Sequence, residues 1–502
     1  MSILIKGANI LDGNGNPPRK ADILVLKDKI SAIGDFRGLR PAETVIDGLG
    51  SYVAPGFIDV DTDSDHYLTL FSNPGQQDFL KQGVTTIFGG MCGYSLAPLV
   101  YGSMESVREW SESERLNVDW RTTGEFLSSL KRMDLGVNFG TLSGHLTMRQ
   151  DITKKPRALS EKETKIIGTL LKQSLEGGSF GLSSSLGYAP GKDIENEEII
   201  ELLKIVKAGN GVYSTHLRDY GEDLLKSVEE SVAAAVQSGV STIINHFEPY
   251  FASAKKYEKA LKMIGENIAA ADIYFDIFPF NTSVVLLSDL LPKRLFSENA
   301  DEALAKLEKP GYVKQIQSFW DKSGIDPSTM IVAGAPKNDY VVGKTVLDFA
   351  ENRGLDLREG VFELMRLTRM RGSVSVKNID ENLIEKGLLH SQSLIASNST
   401  SFDPSEKFVH ERSKSTFTKY LEIATRTLSI EDAVKKITSV PSRIFNLKNR
   451  GTIKEGNIAD LVLIRDNKIK DVVVSGKVAL RSGEIENSAS GQVIKHDAKK
   501  KR

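Results

Sequence analysis

The sequence predicts an α/β fold: a (β/α)8 barrel of the TIM type with a small β domain formed by both ends of the chain. Three observations carry this expectation. Short strands broken by tight turns crowd both ends. Eight apolar strand candidates alternate with amphipathic helical segments in between. The length, 502 residues, suits one large barrel with a satellite domain, since barrels use ~250 residues or more as one unit.

At the N-terminal end, SILIKGANIL, ADILVLKDKISAIG and AETVIDGLGSYVAPG alternate apolar and polar residues between Asn-Gly and Asp-Gly turns. GTIKEGNIADLVLI, DVVVSGKVALRSG and GQVIKH do the same at the other end. Residues 1–56 and 440–485 are therefore expected to meet in one small β-sandwich domain, and 57–439 to form the barrel. The eight strand candidates start at Phe57, Val84, Gly136, Ser179, Gly211, Ser241, Ile273 and Ser393. The clearest helix runs from about Gly221 to Gly239, with Gly at its C-terminal end. The gap between strands seven and eight exceeds one βα unit, so residues of about 286–348 are read as an insertion over the C-terminal face. Residues 486–502 end in HDAKKKR and are expected to be a basic, disordered tail.

Composition excludes several classes. Lys and Arg number 65 against 66 Asp and Glu, a formal charge of -1, whereas nucleic-acid binding usually shows a basic excess. A single Cys excludes an internal disulfide and fits a reducing compartment. No apolar run is long enough to span a bilayer, and the N-terminal residues lack the apolar core of a signal peptide. The expectation is a cytoplasmic protein with a small-molecule substrate and neither nucleic acid nor membrane as partner. The oligomeric state is left open. No P-loop, no GxGxxG between strand and helix and no GxSxG elbow is present.

Reactive residues of such barrels sit at the C-terminal ends of strands. Strand one runs into Asp61-Thr62-Asp63, strand two into Cys92, strand five into His216, strand six into His246 and strand eight into Asn398. Each alone reads as structural: a buried Cys is a small hydrophobe and a strand-end Asp or Asn caps a helix. Together they read differently. The only Cys and two of seven His converge on one barrel mouth. One thiolate, two imidazoles and an open position match a catalytic zinc site, in which the thiolate is a ligand and not the nucleophile.

The chain resembles the N-acyl-D-amino-acid deacylases (D-aminoacylases) of the amidohydrolase superfamily. The resemblance is carried by VAPGFIDVDTD, GVTTIFGGMCGYSLAPL, GHLTMR, GLSSSLGYAPG, YSTHLRDYGEDLLKSVEE, INHFE, FDIFPF, HERSKSTF and ITSVPSRIFNLKNRGTIKEGNIADLVL, from about Ile3 to Arg481. It implies an amidohydrolase-type barrel, zinc, and hydrolysis of the amide of N-acyl-D-amino acids. It also implies that Cys92, His216 and His246 hold one zinc tightly, with a second metal not assured. Arg412 would grip a substrate carboxylate, and Tyr188, His145 and Arg149 would lie near the pocket.

Four segments depart from that pattern. The His-x-His of strand one is Asp61-Thr62-Asp63, and the catalytic Asp of strand eight is Asn398. Glu248 stands where Lys is usual, and Phe278 and Phe280 lie in a segment that usually carries Tyr. Glu248 would repel a carboxylate. Asn398 cannot carry the proton that general acid–base catalysis moves, a contribution of typically ~100- to 10,000-fold. Asp61 or Asp63 is a candidate to take it over or to ligate a second ion, both expected to face the metal with Thr62 turned away. Three readings stand: a zinc-dependent deacylase with altered catalytic detail, a ligand- or metal-binding pseudoenzyme of the same fold, and a hydrolase of a different amide.

Overall fold

The structure, a computed structural model, describes residues 2–36, 42–101, 104, 117–153, 157–188, 191, 193–292 and 300–498. The eight expected strands form, all parallel: Phe57–Asp59, Val84–Gly89, Asn138–Thr141 continued by Ser143–Gly144, Gly181–Ser185, Val212–His216, Thr242–Ile244, Ile273–Ile277 and Ser393–Ile395. They are buried almost throughout because helices cover the outside, which is why they read as apolar runs. The ring closes between strands one and eight through a Thr62–Ser399 bridge. The Asp59 carboxylate helps close it, accepting the Ser397 N–H at 3.1 Å. Inside, Phe88 stacks on Phe445 (centroids 3.9 Å apart) and meets Phe180 edge-on at 5.1 Å, so the lower barrel is a packed core.

The expected 221–239 helix is Leu224–Ser238, closed by Gly239 at φ 62°. It buries Leu224, Val228, Val232 and Ala235 as one stripe along its inner face. The Glu161–Gly177 helix starts with a capping box between Ser160 and Glu163.

Strands from both chain ends pair in one sheet. Tyr52–Pro55 lies antiparallel to Leu461–Arg465, with Leu461 opposite Pro55, and this pair joins the N-terminal strands to the C-terminal ones. These strands are joined by hydrogen bonds into one sheet that forks at Ser2–Ile10. Residues Ile3 to Lys6 of that strand pair with Thr44–Asp47, and Asn9 and Ile10 pair with Tyr52 and Val53. Alternation sets its two faces. Leu461 and Leu463 fill the domain's own core, while Val462 and Ile464 pack on the barrel cluster with Phe57 and Phe79.

Two expectations are corrected. The insertion is longer than 286–348. Thr282–Leu286, Ile331–Gly334 and Ser373–Lys377 form a separate antiparallel sheet, and helices Val346–Glu351 and Leu357–Thr368 share its apolar core. It stands on the C-terminal face, where Phe251 N–H donates to Asn378 O and Asp380 N–H to Pro249 O. The reason is that Val374 and Val376 fill this core while the sheet they complete begins at Thr282.

The final segment is packed as far as Ala498, not disordered; the expected Lys-Lys-Lys-Arg end lies outside the described residues. Its backbone serves an open strand edge. Phe139 N–H donates to Gln492 O (2.9 Å) and Ile494 N–H to Phe139 O (2.8 Å), satisfying groups that would otherwise be buried unpaired. His496 sits beneath strands four and five, its Nε2 2.8 Å from Gly209 O.

Candidate metal centre and active site

Cys92, His216 and His246 bring one ligand atom each within 4.8 Å of one another. Cys92 Sγ lies 3.2 Å from His246 Nε2, and His216 Nδ1 3.1 Å from the same nitrogen. Local sequence sets each one. Cys92 itself has φ 50°, between Gly90 (φ +73°) and Gly93 (φ +80°). A Cβ on Gly90 would meet Leu142 O at 2.2 Å and one on Gly93 would meet Ser185 N at 2.8 Å, so GGMCG can fold this tightly only with glycine at both. Gly90 N–H donates to Asp65 Oδ2 at 2.7 Å, which ties this loop to strand one. His216 ends strand five between the rings of Tyr188 (4.4 Å) and Tyr220 (4.9 Å). His246, also left-handed at φ 33°, donates its backbone N–H to Asp276 Oδ1 at 2.5 Å.

The two strand-one aspartates separate. Asp61 is fully buried; its Oδ2 accepts from Asn245 Nδ2 at 2.8 Å, and its Oδ1 has no partner among the described residues. Asn245 also donates to Asp276 Oδ2 at 3.0 Å and accepts from Ser214 Oγ at 2.7 Å, so one amide bridges two carboxylates. Asp63 turns instead to His66, whose Nδ1 is 3.3 Å away. Thr62 does face away, its hydroxyl donating to Phe88 O at 2.8 Å.

Charge follows this geometry. Burial first, then the charges of Asp276 and Asp63, push the Asp61 carboxyl well above the usual range. Burial also raises Asp63, but the hydrogen bond and charge of His66, with Arg412, outweigh it and hold that carboxyl low. Burial acts to lower His66, yet Asp65 and Asp63 outweigh it and push the imidazole up to about 9. Burial lowers His246 to about 4, leaving a neutral ring with a lone pair to donate. Burial raises the Cys92 thiol, and the nearest carboxylates, Asp61 foremost, raise it further. A divalent cation fits this set: it would take the soft thiolate and two neutral imidazoles and offset those carboxylates.

The other expected residues fall as follows. Asn398 takes the left-handed conformation (φ 44°) and its N–H donates to Asp61 O, beside the cluster. Arg412 is buried at the N-terminus of the Arg412–Ala424 helix, its guanidinium carbon 5.4 Å from the centre of the Phe278 ring. Glu248 is 1% exposed; its Oε1 accepts the Phe278 N–H at 2.9 Å. Phe280 packs on His410 (5.8 Å) and lies under Lys419 Nζ (4.3 Å), so Phe278, not Phe280, is the aromatic beside Arg412. His145 and Arg149 converge on Glu198, at 2.8 and 3.1 Å, within the barrel wall. That ion-paired cluster fixes a helix to its neighbour, and the structure gives neither residue a contact with the metal cluster.

Asp276, Asn245 and Tyr220 were missed. Asp276 had a signal: a lone carboxylate in the apolar run IYFDIFPF. Asn245 precedes a ligand, and His66 stands three residues after Asp63, the spacing of a local ion pair. Tyr220 closes the far side by donating to Asn245 O at 2.7 Å, and nothing in its sequence context announces that.

Residues 406–479 match the Amidohydrolase family. The chain is 27% identical over 477 residues to D-aminoacylase of Alcaligenes xylosoxydans xylosoxydans, covering 93% of this chain and 89% of that protein. It is also 27% identical over 494 residues to N-acyl-D-glutamate deacylase of the same organism, covering 97% and 92%. The fold overlays the crystal structure of N-acyl-D-glutamate deacylase from Bordetella bronchiseptica, complexed with zinc and a phosphonate inhibitor. That match has a TM-score of 0.80 at 23% identity, over 98% of this chain and 99% of that one. The resemblance read from the sequence therefore holds over nearly the whole chain, and so does the barrel with its small β domain.

Proposed function

We propose that this protein is a zinc-dependent deacylase that hydrolyses the amide bond of N-acyl-D-amino acids, with Cys92, His216 and His246 holding the zinc. The observation that carries the reading is the convergence of those three side chains from three strand ends. The relatives named above, deacylases of N-acyl-D-amino acids, supply the substrate class. Bound zinc would supply a Lewis acid that activates water and polarises the amide carbonyl.

The chain's own residues do the rest. Asp61, held by Asn245 through one oxygen, keeps Oδ1 free and its basicity high, so it is the group to accept the proton of the attacking water and return it to the leaving amine. Asp63 is less suited, being paired with His66; it and Asp61 remain the candidates for a second ion. Tyr188 packs at a tilt against the His216 ring and restricts it. Arg412, buried beside Phe278, is the residue assigned here to the carboxyl end of the substrate.

The test is amine release by zinc-loaded protein from N-acyl-D- and N-acyl-L-amino acids, with Cys92→Ala as control. Turnover of D-substrates that vanishes in Cys92→Ala is expected. No turnover by folded, zinc-loaded protein would reject the reading. Asn398 supports a second one, a binding protein of the same fold, because its amide cannot relay a proton. Asn398→Asp separates them: hydrolysis that rises from background marks an impaired deacylase, and hydrolysis absent in both proteins favours the binding protein.

A further inference from the structure

Strand four ends in the run Ser183-Ser184-Ser185, and its hydroxyls fare differently. Ser183 Oγ accepts the Gly93 N–H at 3.1 Å. Ser184 Oγ lies 2.6 Å from the Tyr213 hydroxyl oxygen and 3.0 Å from that of Thr215. Ser185 Oγ is buried and has no partner among the described residues.

Strand pairing fixes where that hydroxyl points. Strands four and five run parallel, with Ser184 opposite Thr215 and Ser185 opposite His216. Leu182 and Tyr213 pack with Leu171 and Leu202 of the covering helices, so they mark the outer face of the two strands. Ser184 and Thr215 share that face, as their hydrogen bond requires. Alternation then turns Ser185 and His216 to the inner face together, on backbones about 5 Å apart. The Cys92 loop closes on the same residue, since a Cβ on Gly93 would meet Ser185 N at 2.8 Å. The spare hydroxyl thus stands beside the segments that carry two of the three proposed ligands. Donors around it are already spent. Asn245 Nδ2 donates to both Asp61 and Asp276, and the Tyr220 hydroxyl donates to Asn245 O. A buried hydroxyl left unpaired costs stability unless a ligand completes it.

Resting on the deacylase reading, we propose that the Ser185 hydroxyl donates a hydrogen bond to the carbonyl oxygen of the amide being cleaved. As water adds to the carbonyl carbon, the second electron pair of the C=O bond moves onto that oxygen. A hydrogen bond to the charged oxygen is stronger than one to the neutral carbonyl, so the contact favours the transition state over bound substrate. Ser185 keeps its proton throughout and forms no bond to carbon.

The test compares the zinc-loaded protein with Ser185→Ala, and with Ser185→Gly should the alanine variant be unstable. Removing the hydroxyl should lower kcat for N-acetyl-D-amino acids roughly 100-fold with KM little changed. Calorimetric titration gives a second readout. N-methylphosphonyl-D-amino acids carry phosphoryl oxygens in place of the charged oxygen, and their affinity should fall by a comparable factor. Affinity for the free D-amino acids, which lack the acyl oxygen, should not change. Zinc content and thermal midpoint should hold, or the midpoint should rise. Weaker phosphonate binding in the variant, with no turnover by either protein, would reject the deacylase reading and keep Ser185 as a donor to the ligand. Equal kcat and equal phosphonate affinity would overturn the proposal. So would zinc lost together with activity, which would assign Ser185 to the metal site's framework, and so would no phosphonate binding by either protein.

Discussion

The two faces of the barrel treat buried polar groups in opposite ways. At the N-terminal face the buried charged groups are satisfied. Lys436 Nζ donates to Leu388 O, His390 O and Ser393 Oγ. Arg450 pairs with Asp460, which also accepts from Ser475 N at 2.7 Å and Asn138 Nδ2 at 3.1 Å. The final segment covers the open edge of strand three. At the C-terminal face, Asp61 Oδ1, Glu248 Oε2 and Arg412 Nε are buried and unpaired among the described residues, and Cys92, His246 and Asn398 hold left-handed backbone. Unmade bonds and uncommon backbone both cost stability, and such costs gather where a ligand or a reaction uses them. One face holds the barrel together, and the other keeps capacity in reserve.

Substitutions should separate the faces. The largest effect is expected at Asp61→Asn: hydrolysis falls by ~100- to 10,000-fold while the thermal midpoint holds or rises, because a buried unpaired carboxylate has been removed. A lower midpoint with unchanged turnover would reverse the assignment. Arg450→Met should do the converse. It strands Asp460 and costs about 3–5 kcal/mol in denaturant unfolding, with kcat per folded molecule unchanged.

An acid titration probes the join between the faces and the insertion. His410 accepts the Arg412 N–H at Nδ1 (3.1 Å), and its Nε2 lies 2.8 Å from the Thr282 hydroxyl oxygen. A neutral ring suits both contacts, and a proton on Nδ1 would oppose the first. Burial, then the Arg412 charge, lower this imidazole from 6.5 to about 3. The folded value lies below the unfolded one, so the unfolded chain binds the proton first. Stability is complete above pH 6.5 and declines as pH falls toward 3, by about 2 kcal/mol between pH 6.5 and 5. His410→Gln should flatten that slope; an unchanged slope would place the acid sensitivity elsewhere. The smallest effect belongs to a site on neither face. Ser160→Ala removes the capping box of the Glu161–Gly177 helix and should cost ~1 kcal/mol, with activity unaltered.

Legibility followed the range of the forces involved. The eight barrel strands, the Leu224–Ser238 helix and the strand-rich ends were readable because burial imposes its period on the residues directly. The convergence of Cys92, His216 and His246 was readable because a lone Cys and two His at strand ends are rare enough to be informative together. The insertion's far boundary was not readable, since Ser373–Lys377 pairs with Thr282–Leu286 across nearly ninety intervening residues. The final segment was misread for a similar reason. Its sequence is polar, and its order comes from backbone groups of Phe139 that need partners, a demand no side chain encodes.

The sequence by itself determined the barrel, the composite β domain and the Cys92, His216 and His246 set, because period, turn chemistry and ligand type are local properties. Only the tertiary structure decided between Asp61 and Asp63. Both stand in one short run with the same side chain. One meets Asn245, which also holds Asp276 of strand seven, while the other meets His66 from its own turn. It also decided that Phe278, and not Phe280, contacts both Glu248, through its N–H, and Arg412, through its ring. Basicity and pairing are set by neighbours brought from distant strands, and their identity exists only once the barrel has closed.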